Sequence, residues 1–431
     1  MPYIPSKWQR TKNAVKRRCS SIAKKNKAFK KAYGKILYMR RSARYAKYTK
    51  LPIEEKTVIF EAFMARRYAD SPRAIYEYML NSPDYKDYTF LWGIRGDCLD
   101  DYEFLNRNER TRVIQYGTEE YYKAHATARY WVNNSRTILA MIPRKEQVFV
   151  QCWHGTPLKR LAYDIQVEGN NDLHSKKELC EKYTADAMKY TYMLSPSRFC
   201  TEKFTSAFGL KEIGKEDIII EEGYPRNDFL NNYTEEDVER VKETIGVPKD
   251  KKILLYAPTW RDNQHVVGTG YVFDNPVDFD RLREDIGDEY VVLFRPHYFV
   301  ANAFDFSKYE GFVYDVANYP DINDLYIVSD VLITDYSSVF FDYSILKRPI
   351  LFYMYDLEFY KDTVRGFYIS LDELPGPIIE KEAELFEKIK TIPEWTSTEE
   401  YKEKYKTFSD KFTYLDDGHA AERVVKRVFQ K

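Results

Sequence analysis

The chain has 431 residues, of which 44% are hydrophobic and 31% charged, which fits a globular protein with two domains. Its aromatic share of 16% indicates either aromatic-rich packing or a surface that contacts sugar or lipid. Its five cysteines include no CxxC pair, which disfavours a disulfide framework and a structural zinc site. No apolar run approaches the roughly 18–20 residues that cross a bilayer, which disfavours a membrane span. Net charge is zero, yet residues 1–50 hold 17 Lys or Arg and no Asp or Glu, leaving 50 basic against 67 acidic residues elsewhere.

The first predicted element is a basic amphipathic arm over residues 1–50. One apolar side chain recurs at every seventh position: Trp8, Val15, Ile22, Phe29 and Ile36. The positions that would complete a coiled-coil seam are mostly polar, so this thin stripe favours a helix lying on an anionic membrane surface. A solvated helix packed on the body and a nucleic-acid-binding arm are the alternatives. Since no signal peptide is recognisable, we predict a peripheral protein on the cytoplasmic face of the cell membrane, without a nucleic-acid partner.

A series of parallel βα units is predicted after the arm. Residues 54–80 have a helical pattern, and SPRAIYEYML is expected to begin a helix with Ser71 as N-cap and Pro72 at its first position. Helix-length segments then separate six predicted strands: TFLWGI (89–94), TRVIQY (111–116), ARYWV (128–132), QVFVQCW (147–153), YTYML (190–194) and DIIIEE (217–222). This alternation is typical of a parallel sheet.

A second series of the same kind follows a turn-rich segment, GYPRNDFLNNYTEED (223–237). Its predicted strands are KKILLYAPTW (251–260), YVVLFRPH (290–297), GFVYD (311–315), VLITDYSS (331–338) and PILFYMY (349–355). The predicted domains are therefore the arm at 1–50, a Rossmann-like domain at 51–230, a second at 231–398 and a helical tail at 399–431, interrupted near 416–418. Ligands of such sheets bind at the carboxyl ends of the strands, so we expect a cleft there.

The stretch VFVQCWHGTPLKRL (148–161) places a histidine at a predicted strand end. Pro157 suits the first position of a following helix, Thr156 can cap it, and Gly155 allows an open backbone. His154 would then face the cleft, where an imidazole of near-neutral pKa is a natural general base for a hydroxyl. A histidine that merely caps its own helix fits the motif equally well.

Other strand ends carry groups suited to phosphate. Arg295 and His297 follow one strand on the same side, as phosphate ligands or as a structural pair. A helix predicted to start at Ser337 or Ser338 offers hydroxyls and free N–H groups, although serines that only cap a helix remain an alternative. The remaining candidate substrate-binding residues at strand ends are Gly155, Thr156, Thr259, Arg261, Thr334 and Asp335.

Other chemistries have weaker support in the sequence. Cys152 is a conceivable thiol nucleophile, and the acidic segment CLDDYEF (98–104) supplies no persuasive metal site, so we expect no metal. No Walker A loop or GxGxxG fingerprint follows a strand. Four histidines lack a comparable setting and are expected to be surface or structural residues: His125, His174, His265 and His419.

Five motifs occur in order along the chain: HGTPLKRL, GYPRND, LLYAPTWRDN, FRPH and LITDYSSVFFDYSILKRPILFY. Together they resemble the CDP-glycerol glycerophosphotransferase family of teichoic-acid and capsule polymer synthesis, over roughly residues 55–425. The resemblance implies a GT-B-like α/β fold with an acceptor domain and a CDP-polyol donor domain facing across a cleft. It implies transfer of glycerol phosphate or ribitol phosphate from CDP-glycerol or CDP-ribitol to a lipid-linked saccharide or polyol-phosphate acceptor, releasing CMP without cofactor or metal.

The resemblance also suggests residue roles. The catalytic histidines of the family fall on His154 and His297, and its diphosphate-binding helix start falls on Ser337 and Ser338. The segment before SPRAIYEYM lacks a glycine that is often present there, so the acceptor side is expected to differ. The alternative reading is a GT-B glycosyltransferase that uses a nucleotide sugar. Oligomeric state is not indicated by the sequence.

Overall fold

The computed structural model describes residues 27–166, 175–259, 265–266, 270–271, 276–296, 306–358 and 366–430. Two compact units can be distinguished. The first comprises residues 1–59, 88–131 and 136–148, and the second comprises residues 60–87, 132–135 and 149–431.

The first sheet has seven strands in the order β3-β2-β1-β4-β5-β6-β7. They are β1 (Glu54–Glu61), β2 (Thr89–Ile94), β3 (Thr111–Gln115), β4 (Ala128–Asn133), β5 (Val148–Gln151), β6 (Tyr192–Ser195) and β7 (Ile219–Glu221). The pairs β2–β3, β5–β6 and β6–β7 are parallel. All six predicted strands of this series are confirmed, with ends shifted by a few residues.

Strand β1 corrects the sequence prediction, which made residues 54–80 helical. Its burial runs from exposed Glu54 to a continuous buried stretch beginning at Thr57. A strand inside a parallel sheet is covered on both faces and therefore lacks the alternation that identifies half-buried strands. The helix after it begins at Asp70 with Ala69 as N-cap and no side-chain cap bond, so Ser71 is not the N-cap.

The second sheet has six strands in the order β12-β11-β8-β13-β14-β15. They are β8 (Lys252–Ala257), β11 (Tyr290–Phe294), β12 (Val313–Asp315), β13 (Val331–Thr334), β14 (Ile350–Tyr353) and β15 (Ile378–Ile379), and β9 (His265–Val266) pairs separately with β10 (Gly270–Tyr271). Every neighbouring pair of this sheet is parallel. The five predicted strands of the second series are confirmed, while the two-residue β15 has no sequence signal.

The α-helices of the described residues are α1 (Lys27–Ala46), α2 (Asp70–Asn81), α3 (Leu99–Tyr102), α4 (Glu119–Thr127), α5 (Lys176–Ala187), α6 (Arg198–Ala207), α7 (Asp228–Asn232), α8 (Glu235–Ile245), α9 (Phe279–Ile286), α10 (Ile322–Val328), α11 (Val339–Tyr343), α12 (Glu382–Lys390), α13 (Ile392–Thr396), α14 (Glu399–Phe412) and α15 (Ala420–Phe429). The tail prediction is confirmed, because α14 and α15 are separated around Gly418, which has φ +89°. Within the described ranges no helix is long and apolar enough to cross a membrane.

Two parallel sheets joined by helices confirm the predicted α/β, GT-B-like fold class. The strands of the second sheet are almost wholly buried, for example Leu254, Leu255 and Leu332 at 0% exposure, which explains their uninterrupted apolar sequences. The domain boundaries proposed at residues 50, 230 and 398 stay predictions.

The carboxyl end of helix α1 packs against other residues of the first unit. Arg44 Nε lies 2.6 Å from Glu119 Oε1, Tyr48 donates to the other carboxylate oxygen at 2.9 Å, and buried Tyr45 meets Trp131 edge-on. Further towards the N-terminus the helix is largely exposed, with Ile36 at 50%. The predicted stripe residues Trp8, Val15 and Ile22 lie outside the described residues.

Candidate active site

His154 follows strand β5 in the second unit, and its ring is held from three sides. Its Nδ1 lies 3.0 Å from the Asn134 carbonyl oxygen, Trp153 stacks on it at 4.4 Å between ring centroids, and Phe63 meets it edge-on at 6.4 Å. Because a carbonyl oxygen only accepts, Nδ1 carries the proton and Nε2 is left as the basic nitrogen. The imidazole is thus oriented as a general base.

The environment keeps this imidazole neutral. His154 as a whole residue is exposed to solvent. Even so, desolvation by the surrounding protein lowers the pKa of His154 below its ordinary value, and the charge of Arg226 lowers it further. The hydrogen bond to Asn134 and the charge of Asp70 partly offset this by raising the pKa. A lowered pKa leaves Nε2 unprotonated at neutral pH, which is the state a general base requires.

The helix predicted to begin at Pro157 does not form. Residues after it pair instead with a distant segment, since Arg160 N donates to the Gly366 carbonyl at 3.0 Å and Tyr368 N to the Leu158 carbonyl at 2.9 Å. Thr156 therefore caps no helix; it is buried and its hydroxyl accepts from the Cys200 thiol. This removes the alternative in which His154 only caps its own helix.

Gly155 permits a close approach between the His154 loop and two other segments. Its φ is +147°, and a Cβ added there would lie 3.3 Å from Arg226 Nη2 and 3.8 Å from Ser338 Oγ. A glycine is the residue that such a backbone and such crowding favour.

We expect Gly155→Ala to lower turnover by at least about tenfold, because backbone strain of about 1–3 kcal/mol and the guanidinium beside it would displace His154. Gly214→Ala is the matched control, since its φ is +63° but open space surrounds it. Steady-state kinetics of both variants check this: equal turnover in the two variants would show that crowding at Gly155 is unimportant.

Arg226 is a buried connection that the sequence prediction missed. Its Nη1 donates to Asp70 Oδ2 at 3.0 Å and to the His154 carbonyl at 2.9 Å, and its Nη2 donates to Asp342. Asn227 donates to the other oxygen of Asp342 at 3.2 Å. One guanidinium therefore ties the backbone of His154 to helices α2 and α11.

The sequence analysis used GYPRND as a turn-rich boundary and as one of the five family motifs, and it predicted no role for Arg226. Arg226 lies four residues after the end of the predicted strand DIIIEE (217–222), and this position near a strand end is the signal that could have identified it. Its partners are 72, 116 and 156 positions away in the chain, so no local pattern reveals them.

Ser337 and Ser338 precede α11 with their hydroxyls available. Both are half-buried, and Ser338 occupies the N-cap position without a side-chain cap bond. Among the described residues neither hydroxyl has a hydrogen-bond partner, which disfavours the alternative that they only cap the helix. Because α11 has five residues, its helix dipole is weak, and anion binding at this position would depend mainly on the hydroxyls and N–H groups.

Thr259, Thr334 and Asp335 connect neighbouring strand ends of the second sheet. Thr334 Oγ1 donates to the Ala257 carbonyl at 2.8 Å, and Asp335 Oδ1 accepts from Thr259 N at 2.8 Å and from Tyr336 N at 2.6 Å. These contacts fix the loop that carries Ser337. We therefore expect Thr334 and Asp335 to act by positioning.

Arg295 follows strand β11 as predicted and is anchored from one side. Its Nη1 donates to the Val316 carbonyl at 2.8 Å and to the Tyr319 carbonyl at 3.1 Å. Burial lowers the pKa of this guanidinium, and the charge of Arg67 acts in the same direction. The predicted site residues Arg261 and His297 lie outside the described residues.

Asp416 is a buried carboxyl near Arg226, Asn227 and Asp342. Its Oδ1 accepts from Tyr224 N at 3.1 Å, while burial, reinforced by the charge of Asp342, raises the pKa of Asp416 to about 8. An unfolded aspartate titrates near about 3.9. Between these values the folded protein holds a proton that the unfolded chain has lost, so the stabilising contribution is complete below pH about 4 and declines as pH rises to about 8.

We expect Asp416→Asn to flatten the pH dependence of stability. The wild-type free energy of unfolding should lose up to about 1.4 kcal/mol per pH unit through this group between pH 5 and 8, and the variant should lose that slope because an amide does not titrate. Urea denaturation of both proteins at several pH values measures the difference. Parallel curves would mean that Asp416 is ionised throughout.

The surroundings of Cys152 and His125 disfavour a catalytic role for either side chain. Burial raises the pKa of the Cys152 thiol well above its ordinary value, which disfavours a thiolate nucleophile. His125 is buried between Tyr121 and Trp131, so it is structural as predicted. Within the described part of the chain, no group of three or more His, Cys, Asp or Glu side chains is arranged to hold a metal ion.

A family model described as CDP-Glycerol:Poly(glycerophosphate) glycerophosphotransferase matches residues 43–430. A teichoic acid poly(glycerol phosphate) polymerase of Bacillus subtilis (strain 168) is 42% identical over 431 residues, covering 97% of this chain and 54% of the relative. A teichoic acid glycerol-phosphate transferase of Staphylococcus aureus (strain NCTC 8325 / PS 47) is 36% identical over 388 residues, covering 89% of this chain and 95% of the relative.

Solved structures of the wall teichoic acid polymerase TagF also match. A variant of that polymerase soaked with CDPG has a TM-score of 0.80 at 35% identity, covering 96% of this chain and 97% of the other. The chain spans about half the length of the Bacillus subtilis relative, 54%.

Proposed function

We propose that this chain, which belongs to the CDP-glycerol:poly(glycerophosphate) glycerophosphotransferase family, transfers a polyol phosphate from a CDP-activated donor. The transferred group is glycerol phosphate or a related polyol phosphate such as ribitol phosphate. The acceptor is a hydroxyl of a lipid-linked teichoic-acid or capsule acceptor. CMP is the leaving group. The observation that carries this proposal is the approach of Gly155, the residue directly after His154, to Ser338, whose hydroxyl has no partner among the described residues.

In the proposed reaction, Nε2 of His154 accepts the proton of the acceptor hydroxyl. The oxygen then attacks the β-phosphorus of CDP-glycerol, and the bond between that phosphorus and the bridging oxygen breaks, so the electron pair leaves with CMP. Ser337, Ser338 and Arg295 are placed after strands of the second sheet to stabilise charge on the phosphates. His297, by resemblance to the family, is proposed to assist there.

The proposal requires no cofactor, because arginine and histidine side chains and backbone N–H groups would supply the positive charge. Arg226 is proposed to position His154, because it donates to the backbone of that residue and its charge is paired with the carboxylates of Asp70 and Asp342. Thr259, Thr334 and Asp335 would hold the donor loops in place.

Donor choice tests the proposed function. The protein is incubated with CDP-glycerol, CDP-ribitol and UDP-sugars in the presence of a lipid-linked acceptor, and the released nucleotide is measured. We expect CMP release that depends on acceptor, from one or both CDP-polyols. Release of UDP, with no CMP, would instead assign the chain to nucleotide-sugar transfer.

The basic arm supports a peripheral location on the cytoplasmic face of the cell membrane. Helix α1 exposes Ile36 and Met39, three positions apart on one face, at 50% and 52%, among the basic residues Lys35, Arg40 and Arg41. Exposed apolar side chains bordered by cations suit a headgroup layer with anionic lipids.

We expect the double variant Ile36→Glu, Met39→Glu to lose most of its binding to vesicles of phosphatidylglycerol, because both apolar insertion and charge attraction are weakened. Vesicle sedimentation at low and high salt measures this. Met188→Glu, at another exposed apolar side chain (58%), is the control. Substitution is preferable to deleting residues 1–50, since deletion would also remove buried Tyr45. Unchanged binding of the double variant, or RNA binding in place of vesicle binding, would overturn the membrane role.

A further inference from the structure

The turn after strand β1, residues 62–67, has a strained backbone beside His154. Phe63, Met64 and Ala65 have φ values of +48°, +59° and +63°, in the left-handed region. Residues other than glycine rarely adopt this region, because their Cβ approaches the backbone too closely. Three such residues in succession persist only where surrounding structure enforces them, and enforced strain is concentrated at functional sites. The turn is therefore a candidate functional element.

The loop after strand β4 enforces the turn through its side chains. Phe63 N donates to Asn134 Oδ1 at 2.8 Å, and Met64 N donates to Ser135 Oγ at 2.7 Å. Asn134 is fully buried, and its carbonyl oxygen is the group that lies 3.0 Å from His154 Nδ1. One residue therefore holds both the turn and the proposed base.

A set of hydrogen bonds braces this loop in turn. Ser135 N donates to Asn133 Oδ1 at 2.6 Å, and Asn133 Nδ2 donates to Glu61 Oε2 at 3.3 Å. Gln151 Nε2 donates to the Ser135 carbonyl at 3.1 Å, and Gln151 Oε1 accepts from Trp153 N at 2.9 Å. The ends of strands β1, β4 and β5 are thus connected through side chains, as a preorganised binding site requires.

The enforced turn leaves an aromatic ring exposed next to the proposed base. Phe63 is 37% exposed, whereas Ala65, two residues further on, is fully buried. The Phe63 ring meets the His154 ring edge-on, with 6.4 Å between centroids and 61° between planes. His154 is exposed as well. A glycerol unit that is hydrogen-bonded to the imidazole is therefore long enough to contact the phenyl ring.

We propose that Phe63 binds the carbon chain of a substrate polyol and thereby holds its hydroxyl at His154. A polyol presents C–H groups between its hydroxyls, and an aromatic ring offers them a rigid apolar surface. A hydroxyl that is already oriented at the base loses less freedom when it reacts. The inference rests on the proposed function, in which His154 is the base.

Two polyols come to this base in the proposed reaction: the terminal unit of the acceptor and the glycerol of the donor. The acceptor is the favoured ligand of Phe63, because the acceptor hydroxyl is the group that gives its proton to Nε2 of His154. Calorimetric titration with glycerophosphoglycerol reports on the acceptor, and comparison of CDP-glycerol with CDP reports on the glycerol of the donor. Neither measurement requires turnover.

The variant Phe63→Ala is compared with Met64→Ala as the matched control. The two residues lie on the same turn, share the left-handed backbone and are both exposed, Met64 at 45%. General loosening of the turn should therefore appear in both variants, whereas Phe63→Ala alone removes the ring that meets His154. Phe63→Tyr keeps the ring and should bind each probe as wild type does. Thermal melts establish that the variants fold.

We expect Phe63→Ala to weaken the binding of glycerophosphoglycerol by about tenfold, as for a lost aromatic contact, and Met64→Ala to change it by less than about twofold. The affinities of both variants for CDP-glycerol and for CDP should stay within about twofold of wild type. A loss of affinity for CDP-glycerol but not for CDP would assign Phe63 to the glycerol of the donor.

Three results would overturn the polyol contact: equal affinities of wild type and Phe63→Ala for both polyol probes, equal losses in Phe63→Ala and Met64→Ala, or no binding of either polyol probe by wild type. Lower turnover of Phe63→Ala with unchanged affinities would also overturn it, because the ring would then act only by orienting or desolvating the imidazole. Failure of wild type to release CMP in the presence of acceptor, a separate readout, would overturn the proposed function instead.

Discussion

His154→Ala should lower turnover by about 10²–10⁴-fold, the usual contribution of a positioned general base, while the affinity for CDP-glycerol changes little. The reason is geometric. Nδ1 is committed to the Asn134 carbonyl and Nε2 is left unprotonated by the lowered pKa, so removal of the ring removes the proton acceptor and leaves the residues proposed for the donor in place.

The measurement is single-turnover CMP release at saturating acceptor, together with calorimetric binding of CDP-glycerol. His419→Ala is the control, because that side chain is 66% exposed and has no proposed role in the reaction. Near-normal turnover of His154→Ala would eliminate His154 as the base. Loss of donor binding in parallel with turnover would reassign it to the donor site.

Arg226→Gln should destabilise the protein by about 3–5 kcal/mol, the range observed when one partner of a buried ion pair is removed. Asp70 and Asp342 are 8% and 6% exposed, and each would lose its charged donor. Burial already raises the pKa of Asp342 and the charge of Arg226 opposes this, so the substitution removes the main compensation. The His154 carbonyl would lose its donor too.

Urea denaturation at pH 7 measures the loss, and Arg240→Gln is the control because it breaks an exposed pair with Asp237, for which no measurable change is expected. Arg226→Gln should recover part of its stability at acid pH, since protonation of the two carboxyls removes the unpaired charges. A variant as stable as wild type at neutral pH would show that Arg226 does not compensate these carboxylates.

The strands were predictable because their sequences carry a strong local signal. A strand inside a parallel sheet is buried on both faces, so segments such as TFLWGI and KKILLYA are continuous apolar runs bounded by turn residues. Strand β1 was missed because only its second half is apolar and three charged residues, Glu54, Glu55 and Lys56, open it.

The site was predictable only in part. His154, Arg295 and Ser338 were predicted as site residues because each lies shortly after an apolar run, and ligands of parallel sheets bind at the carboxyl ends of the strands. Their roles stay predictions. The segment after His154 was assigned to a helix on the basis of Pro157, yet its hydrogen bonds go to residues 366–368. The contacts of Arg226 join segments that are distant in the chain, so no period or spacing in the sequence shows its partners.

The proposed transfer is tested most directly by the mass of the product formed from CDP-glycerol and a defined lipid-linked acceptor. The account predicts that the acceptor gains whole glycerol phosphate units, with one CMP released for each, and that His154→Ala forms almost none. An acceptor of unchanged mass despite CMP release, or one that gains a sugar from a nucleotide sugar, would contradict it.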